Sequence, residues 1–346
     1  MEGIAIRETL ECLIARKDLS EAAAIQLLHS LMREDTTQAM AAALLTALAS
    51  KGITATELRG FANGMRELAR RPDISADLCA RAIDIVGTGG DASGSLNIST
   101  GTALLVAACG IPVIKHGNRS ISSRSGSADV LEQLGLVLPL DEKKSGACLA
   151  TSGFTFLFAP HYHPAMKAIA SVRQALGIRT IFNILGPLIN PAAPAFQVIG
   201  AYSEAIAALM AQSLVGSSTV TRAFVVHGAS GWDEPTPIGP FTLFQVHAGT
   251  VKRTERTPAD YGLAICSAAD LAGGDAVQNA ARLRAALSGV DQGAHRDSLL
   301  MGASLALECV GRARTPKEGV ALAAAAISEG RASIVLQQLA QFSAVL

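Results

Sequence analysis

The sequence lacks the signatures of several protein classes. Its six cysteines, at positions 12, 79, 109, 148, 266 and 309, include no CxxC pair, which excludes a zinc knuckle or a small disulfide framework. It has no excess of either charge, because Lys+Arg and Asp+Glu both number 29, so bulk attraction to nucleic acid or to a membrane surface is not expected. No apolar run is long enough to span a bilayer. Any basic site must therefore be local, and we expect reduced core thiols.

The chain also carries no recognisable secretion signal. Its first twenty residues, MEGIAIRETLECLIARKDLS, place acids among the apolar residues, unlike a signal peptide. The length of 346 residues suits about two domains, and a composition that is 49% hydrophobic and 17% charged allows a large core. These features predict a soluble, cytoplasmic, globular protein without a membrane partner.

Two sequence patterns divide the chain. Residues 5–70 predict consecutive helices, with Ser20 and Thr54 in N-cap positions. From residue 82, short apolar runs such as AIDIV, IPVIK, FTFLF, FQVIGAY and AFVVHG alternate with helical segments, which predicts an α/β fold with a mostly parallel sheet. Helices are again predicted from about residue 270. A helix that stops at Pro72 suggests a small helical domain over 1–72 and an α/β domain over 73–346.

The stretch DIVGTGGDASGSLNISTG, residues 84–101, is the first candidate site. A strand ends into Gly87–Gly90, and the next helix begins near Asn97, Ser99 and Thr100. Glycines let backbone N–H groups approach a ligand closely, and a helix N-terminus favours an anion. This pattern predicts a phosphate site, whereas a turn that only packs a helix on a strand would not explain the cluster of hydroxyl groups.

Two common phosphate motifs do not fit this stretch. A P-loop needs a lysine directly after its last glycine, and no lysine occurs between Gly87 and Lys115. The spacing does match the dinucleotide pattern G-x-G-x-x-G/A, but that pattern needs an acid about 20 residues later to hold ribose hydroxyls. No Asp or Glu lies between Asp91 and Asp129, so a dinucleotide site is disfavoured.

A second polar loop, KHGNRSISSRSGSADVLEQLG, covers residues 115–135 and also follows a predicted strand. It carries five serines together with Lys115, His116, Asn118, Arg119 and Arg124. Such a loop can surround a multiply charged phosphate through charge-assisted hydrogen bonds. The alternative is a solvated surface loop, which rarely starts at the end of a buried strand.

These residues resemble a known family. The blocks GTGGD…NIST, KHGNRS.SS..GSADVLE.LG, FLFAP..HPAMK, VR..LG.RTIFN.LGPL.NPA and VVHG..G.DE follow one another over residues 87–234 as they do in anthranilate phosphoribosyltransferases. Those enzymes of tryptophan biosynthesis join anthranilate to 5-phosphoribosyl 1-pyrophosphate. The resemblance implies a large α/β domain that binds the phosphoribosyl donor, and a small helical domain formed by the N-terminal helices and helices around 163–185. It also implies a homodimer.

The resemblance further implies roles for particular residues. Two Mg²⁺ ions would be held by Asp233 and Glu234, with Ser99 joining one ion, and Arg173 would bind the anthranilate carboxylate, bordered by Gly87 and Asn118. His116 would be a further acceptor contact and His163 would shape the acceptor entrance. The donor site would be lined by Gly87, Gly90, Asp91, Ser95, Asn97, Ile98, Ser99, Thr100, Lys115, His116, Gly117, Asn118, Arg119, Ser120, Ile121, Ser122, Ser123 and Ser127.

Some positions depart from the family pattern or stay open. Ala92 stands where glycine is common, Ser95 where threonine is usual, Leu96 where an aromatic is frequent, and Met301-Gly302 where an asparagine and a small residue are usual. A metal site at the pair His161 and His163 has no third ligand nearby in sequence. The role of Trp232, the only tryptophan, stays undecided.

Three other functions compete with this interpretation. A pyrimidine nucleoside phosphorylase would share the architecture but lack the acceptor arginine and the adjacent acids. A non-enzymatic nucleic-acid binder would need a basic surface excess, which the balanced charge does not provide. Phosphoribosyl transfer to a different aromatic amine stays open, because ring substituents are distinguished by the shape of the pocket.

Overall fold

The N-terminal part of the chain is a group of helices. The computed structural model describes residues 2–120 and 124–345, with residues 2–5 described by their backbone alone. The Ser20 hydroxyl accepts the N–H of Ala23, and Thr54 forms a capping box with Glu57, so both predicted N-caps are confirmed. The helices are α1 (Glu2–Ile14), α2 (Glu21–Leu31), α3 (Gln38–Lys51) and α4 (Ala55–Glu67).

A seven-stranded sheet forms the centre of the remaining chain. Its strand order is β3-β2-β1-β4-β5-β6-β7, and β1 to β5 run parallel, which confirms the predicted mostly parallel α/β sheet. The antiparallel hairpin β6–β7 at one edge was not predicted. The strands are β1 (Ile83–Gly87), β2 (Val113–Gly117), β3 (Phe154–Phe158), β4 (Phe196–Gly200), β5 (Arg222–His227), β6 (Phe241–His247) and β7 (Thr250–Arg256).

Helices cover the sheet and connect its strands. In the part of the chain that the structure describes, no single helix meets the length and hydropathy of a membrane span, although the bent pair Pro316–Ser328 and Arg331–Ala344 does so together. The helices are α5 (Ala76–Arg81), α6 (Ile98–Ala108), α7 (Ser127–Gln133), α8 (Glu142–Ser152), α9 (Ala159–Tyr162), α10 (Lys167–Leu176), α11 (Phe182–Leu185), α12 (Glu204–Leu214), α13 (Ala276–Leu287), α14 (Ala294–Cys309), α15 (Pro316–Ser328) and α16 (Arg331–Ala344).

Two large hydrophobic clusters lie against the sheet. One contains α6, α13 and α14. Leu96 and Met301, two of the residues that depart from the family pattern, are both buried within it. A Cβ on Gly302 would lie 2.7 Å from the Thr102 hydroxyl oxygen, so close helix packing explains the small residue there. The other cluster joins the N-terminal helices to Ile169 and Val172 of α10 and continues onto β4 and β5. The helix that carries Arg173 therefore packs with the N-terminal helices.

The strand order reverses between β1 and β4. From β1 the chain builds outward to β2 and β3 on one side, and β4 and β5 extend the sheet on the other. Gly87 and Gly200, the last residues of these two central strands, lie opposite each other in register. Ligands of open α/β sheets bind beyond the carboxyl ends of the strands at such a switch point, which places the glycine stretch at the expected position.

Candidate active site

Three glycines make room for the segment that carries Asp233 and Glu234, here called the acidic segment, at the carboxyl ends of the strands. A Cβ on Gly87, at the end of β1, would lie 2.3 Å from Asp233 Oδ2, and one on Gly200, at the end of β4, would lie 1.5 Å from the Asp233 carbonyl oxygen. A Cβ on Gly228 would lie 2.1 Å from the Glu234 carbonyl oxygen. No larger residue fits at these three points while the segment keeps its place. Glycine therefore allows Asp233 and Glu234 to cross the switch point.

The turn after β1 is held by contacts with distant residues. Gly89 and Gly90 have φ of +68° and +75°, which glycine adopts without strain. The N–H of Gly89 donates to Asp233 Oδ2 over 2.6 Å, and the N–H of Thr88 donates to the Gly200 carbonyl over 3.0 Å. Asp91 accepts the N–H of Ser93 on one oxygen and the N–H of Asp233 on the other. The glycine turn and the acidic segment therefore form one connected unit.

Helix α6 points its N-terminus at the same place. The Ser99 N–H donates to Glu234 Oε1 over 3.0 Å, so a carboxylate already occupies one of the free donors of the first turn. Asn97, the N-cap residue, does not cap the helix with its side chain; it donates to the Ser125 carbonyl and accepts from Asn279. Thr100 is fully buried. Asn97 thereby connects the helix start to the second polar loop.

Lys115 supplies the positive charge of this unit. It is 1% exposed, and its Nζ donates to the Ile85 carbonyl and, over 3.3 Å, to the Ser99 hydroxyl. Burial lowers the pKa of Lys115, while the charges of Asp84, Glu234 and Asp233 oppose that change. The Lys115 ammonium thus interacts with three carboxylates, those of Asp84 on β1, Asp233 and Glu234.

The two adjacent acids suit a divalent cation. Burial, together with the neighbouring Asp91, raises the pKa of Asp233 to about 7, and burial with the neighbouring Asp233 raises that of Glu234 to about 8. These carboxylates are short of compensating positive charge, and their oxygens, with the Ser99 hydroxyl, are the hard ligands that Mg²⁺ prefers. No cluster of three His, Cys, Asp or Glu within residues 2–120 and 124–345 could hold a metal. Two carboxylates still suffice for Mg²⁺, which keeps several waters and binds substrate phosphates.

The second polar loop is only partly described. Ile121, Ser122 and Ser123, which were predicted to line the donor site, lie outside the described residues. The guanidinium of Arg119 is exposed and pairs with Glu132 and Asp129 of α7, so its charge is balanced within the loop. The other predicted loop residues have local contacts: the Ser127 hydroxyl donates to the Asn118 carbonyl over 3.1 Å, the Ser120 N–H donates to Asp129, and Gly117 packs against Phe156 and Ser127.

Ser95 lies where the first polar stretch meets the C-terminal half of the chain. It pairs with Ala272 in an isolated antiparallel bridge, and its hydroxyl accepts that of Ser93 over 3.2 Å. Ala92, just before it, has φ of +56°, a left-handed conformation that explains why glycine suits this position better. The departure at residue 92 therefore concerns backbone strain rather than a lost ligand group.

Two buried histidines lie side by side next to Lys115. The rings of His116 and His163 meet edge to face with centroids 5.1 Å apart, and His116 Nδ1 contacts the Gly186 carbonyl over 3.2 Å. Burial lowers the pKa of His116 to about 3 and that of His163 to about 4, so both imidazoles are neutral near pH 7. His161 instead pairs with Glu142 over 3.4 Å. The two members of the H-x-H motif thus have separate surroundings and no shared metal geometry.

Arg173 is the basic residue of the α10 segment. It is half-buried, and its guanidinium lies over the Phe182 ring, 5.4 Å from the centroid. Burial lowers its pKa. Among the described residues the guanidinium has no carboxylate partner and no hydrogen bond, including none to the other predicted acceptor residues, Gly87 and Asn118. A partly desolvated arginine without an anion is suited to bind the carboxylate of a ligand.

Sequence reasoning missed two residues around the site, Asp84 and Arg179. Asp84 is fully buried on β1 and accepts the His116 N–H over 3.3 Å and the Asn190 amide over 2.8 Å. Arg179, just beyond α10, lies over the Tyr202 ring at 4.0 Å and donates to the Gly90 carbonyl over 3.0 Å. An acid inside the apolar run AIDIV was a usable signal for Asp84. Nothing local identifies the contact of Arg179.

Comparison with known proteins places this arrangement in a family. Residues 7–69 match the helical bundle domain of the glycosyl transferase family, and residues 79–333 match its a/b domain. The chain is 44% identical over 341 residues to the anthranilate phosphoribosyltransferase of Desulforamulus reducens, covering 99% of this chain and 97% of that protein. It is 42% identical over 339 residues to the Methylocella silvestris enzyme of the same name, covering 98% and 95%.

Solved structures give the same result. The crystal structure of the Thermus thermophilus anthranilate phosphoribosyltransferase superposes with a TM-score of 0.90 at 38% identity, covering 97% of this chain and 99% of that one. The Saccharomyces cerevisiae enzyme in complex with PRPP and Mg superposes with a TM-score of 0.89 at 26% identity, covering 99% of both chains. Since relatives above 40% identity span nearly the whole length, the chain belongs to the anthranilate phosphoribosyltransferase family.

Proposed function

We propose that this protein transfers the phosphoribosyl group of 5-phosphoribosyl 1-pyrophosphate to the amine of anthranilate, giving N-(5-phosphoribosyl)anthranilate and pyrophosphate. The observation that carries the proposal is the convergence of a glycine turn, a helix N-terminus, Lys115 and two buried acids at the switch point of the sheet. This combination suits a multiply charged phosphate donor with its cation. The half-buried, unpaired Arg173 suits an acceptor that carries a carboxylate.

The donor would bind at the polar carboxyl end of the sheet. The N–H groups of Gly89 and Ser99, which donate to Asp233 and Glu234, would be released to phosphate oxygens when a cation takes up those carboxylates, and the Lys115 ammonium adds a positive charge. The second polar loop would contribute further donors, although the Arg119 charge is already balanced by α7. Asp233, Glu234 and Ser99 would hold Mg²⁺, which when bound neutralises charge on the leaving pyrophosphate.

The chemistry asks little acid–base work of the protein. The bond between ribose C1 and the pyrophosphate oxygen breaks, a bond from the anthranilate nitrogen to C1 forms, and the amine proton leaves to solvent or to the pyrophosphate. Because the amine is a competent nucleophile, positioning and charge stabilisation are the main requirements. The neutral imidazoles of His116 and His163 add no positive charge next to the amine. Arg173 would orient the acceptor through its carboxylate.

Coarser assignments follow from the same proposal. We divide the chain at residue 72 into a small helical domain and an α/β domain, with the α10 segment joining the former, a division supported by the shared core around Ile169 and Val172. Two Mg²⁺ ions, a homodimer and a cytoplasmic location are proposed from the family resemblance. The cytoplasmic location agrees with six free cysteines, none of which forms a disulfide within the described part of the chain.

The decisive experiment mixes purified protein with anthranilate, the ribosyl donor and Mg²⁺, and follows both products by chromatography. We expect stoichiometric phosphoribosylanthranilate and pyrophosphate. Ring-substituted anthranilates and other aromatic amines, offered in competition, test the alternative acceptor. Phosphate with a pyrimidine nucleoside tests the phosphorylase alternative. Turnover with the nucleoside, or none with anthranilate, would refute the proposed function.

A further inference from the structure

Arg179 makes an unusual contact for an exposed arginine. It pairs with no carboxylate in the described part of the chain; its guanidinium lies over Tyr202, 4.0 Å from the ring centroid, and donates to the Gly90 carbonyl over 3.0 Å. The donor and acceptor of that hydrogen bond are 89 residues apart in sequence. A planar guanidinium held on an aromatic ring loses little further freedom when it donates a hydrogen bond. The contact is therefore a well-placed restraint on the glycine turn.

The glycine turn needs such a restraint. Gly89 and Gly90 both have positive φ, and no heavy atom lies within 4 Å of where a Cβ on Gly89 would be, so one side of the turn is open. Its other restraints come from the switch point: the Gly89 N–H on Asp233 and the Thr88 contacts with Gly200 and Tyr202. Glycine has the largest conformational freedom to lose on ordering. A free turn would have to be ordered at the cost of donor affinity.

One of those restraints is in competition with ligands. A cation bound at Asp233 would compete for the oxygen that now accepts the Gly89 N–H, and that N–H would then be free for a phosphate oxygen. The Gly90 carbonyl is not a ligand in this exchange, so its hydrogen bond from Arg179 can persist throughout. Arg179 also lies six residues after Arg173, in the segment that would carry the acceptor. It therefore links the acceptor segment to the donor turn.

We propose that Arg179 is a positioning residue of the donor site: held on Tyr202, it keeps the Gly87–Gly90 turn in the conformation that receives phosphate. The inference rests on the proposed function for its kinetic consequence, but its structural consequence is independent of it. Removing Arg179 should free the turn without removing any group that touches the donor.

The test compares Arg179→Ala with Arg81→Ala. Arg81 serves as the control because it is an exposed arginine that forms an ion pair with Asp77 within α5. Hydrogen exchange of the peptide containing residues 87–93 should be faster in Arg179→Ala and unchanged in Arg81→Ala. The donor KM should rise about tenfold, as expected for one lost hydrogen bond from a charged group, while the acceptor KM changes much less. Arg179→Lys should recover part of the loss, since an ammonium can reach a carbonyl but cannot stack as a plane.

Tyr202→Leu separates positioning from direct binding of the donor. If the tyrosine ring holds the guanidinium, Tyr202→Leu should show part of the same exchange and KM effects, and the double variant should be less than additive. Fully additive effects, or an unaffected Tyr202→Leu, would show that the Tyr202 ring does not hold the Arg179 guanidinium in place and would overturn the inference. Unchanged exchange at residues 87–93 in Arg179→Ala would overturn it whatever the activity. Absence of wild-type turnover would instead count against the proposed function.

Discussion

Gly89 donates its backbone N–H to Asp233 Oδ2 over 2.6 Å, joining the glycine turn to the acidic segment across 144 residues of sequence. The turn is the proposed phosphate cradle and the carboxylate a proposed ligand of Mg²⁺. The Gly89 N–H therefore occupies the carboxylate oxygen at which the cation would bind, and that oxygen occupies the N–H at which a phosphate oxygen would bind. Donor and cation binding should be linked, because either one exchanges this hydrogen bond for its own contacts.

Replacing both acids tests the cation site. Asp233→Asn with Glu234→Gln should remove most turnover, because neither amide can neutralise a divalent cation. The pKa values of both acids are raised in the folded protein, so their ionisation lowers the free energy of unfolding as the pH rises above about 4, the value in the unfolded chain. At pH 8 the double variant should therefore have a free energy of unfolding no lower than that of the wild type. Kinetics and denaturant unfolding check both points. Unchanged wild-type activity in excess chelator would contradict the metal requirement.

Glycine variants test the cradle. Gly89→Ala forces a side chain into φ of +68°, a strain of about 1–2 kcal/mol. Gly110→Ala is the matched control, because Gly110 also has positive φ, of +84°, with no heavy atom within 4 Å of where its Cβ would lie, and it is remote from the site. Both variants should lose similar unfolding free energy. Only Gly89→Ala should weaken donor binding in calorimetry, and equal donor affinity in the two would argue against the cradle.

Arg173 should act on the acceptor alone. If it binds the anthranilate carboxylate, Arg173→Ala should raise the acceptor KM by about ten- to a hundredfold, the value of a lost charge-assisted hydrogen bond. The donor KM should change little, Arg173→Lys should recover part, and the exposed neighbour Gln174→Ala should resemble wild type. Steady-state kinetics with each substrate varied in turn decides this. Equal effects on both KM values would make Arg173 a structural residue.

The buried histidines predict a loss of stability in acid. Because burial lowers the pKa of His163 to about 4, the unfolded chain, with a value near 6.5, takes up the proton first as pH falls. The neutral His163 therefore does not reduce the free energy of unfolding above about pH 6.5, whereas at pH 5 that free energy is lower by about 2 kcal/mol. His163→Gln should therefore show a smaller decrease in unfolding free energy between pH 7 and pH 5 than wild type. Parallel curves for the two proteins would refute the shift.

Ala92→Gly should stabilise the protein. The alanine has φ of +56°, and relief of that strain, less the entropy cost of glycine, should raise the unfolding free energy by up to about 1 kcal/mol. Ala193→Gly, at φ of +47° and outside the polar stretch, tests the same relief of strain at a second position. Thermal unfolding measures the gain, and destabilisation at both positions would show that the left-handed conformations carry no strain.

Much of the fold could be predicted from local sequence. The caps at Ser20 and Thr54, the five parallel strands and the glycine turn after β1 all depend on residues close in the chain, and all are present. The β6–β7 hairpin was missed because Thr250–Arg256 is a largely exposed edge strand, whose polar residues carry no apolar run. Its identity as a strand comes from pairing with β6.

The contacts that organise the candidate site could not be read in this way. The polar loops could be placed at strand ends because a parallel sheet brings its carboxyl ends to one edge. Which atoms meet there depends on chain crossings. Asp233 fits only because Gly87 and Gly200 lack side chains, and Arg179 reaches Gly90 from the loop after α10, a helix that packs with the N-terminal helices. Residue types and strand ends follow from short-range chemistry, whereas the pairing of distant groups follows from how the two hydrophobic cores pack against the sheet.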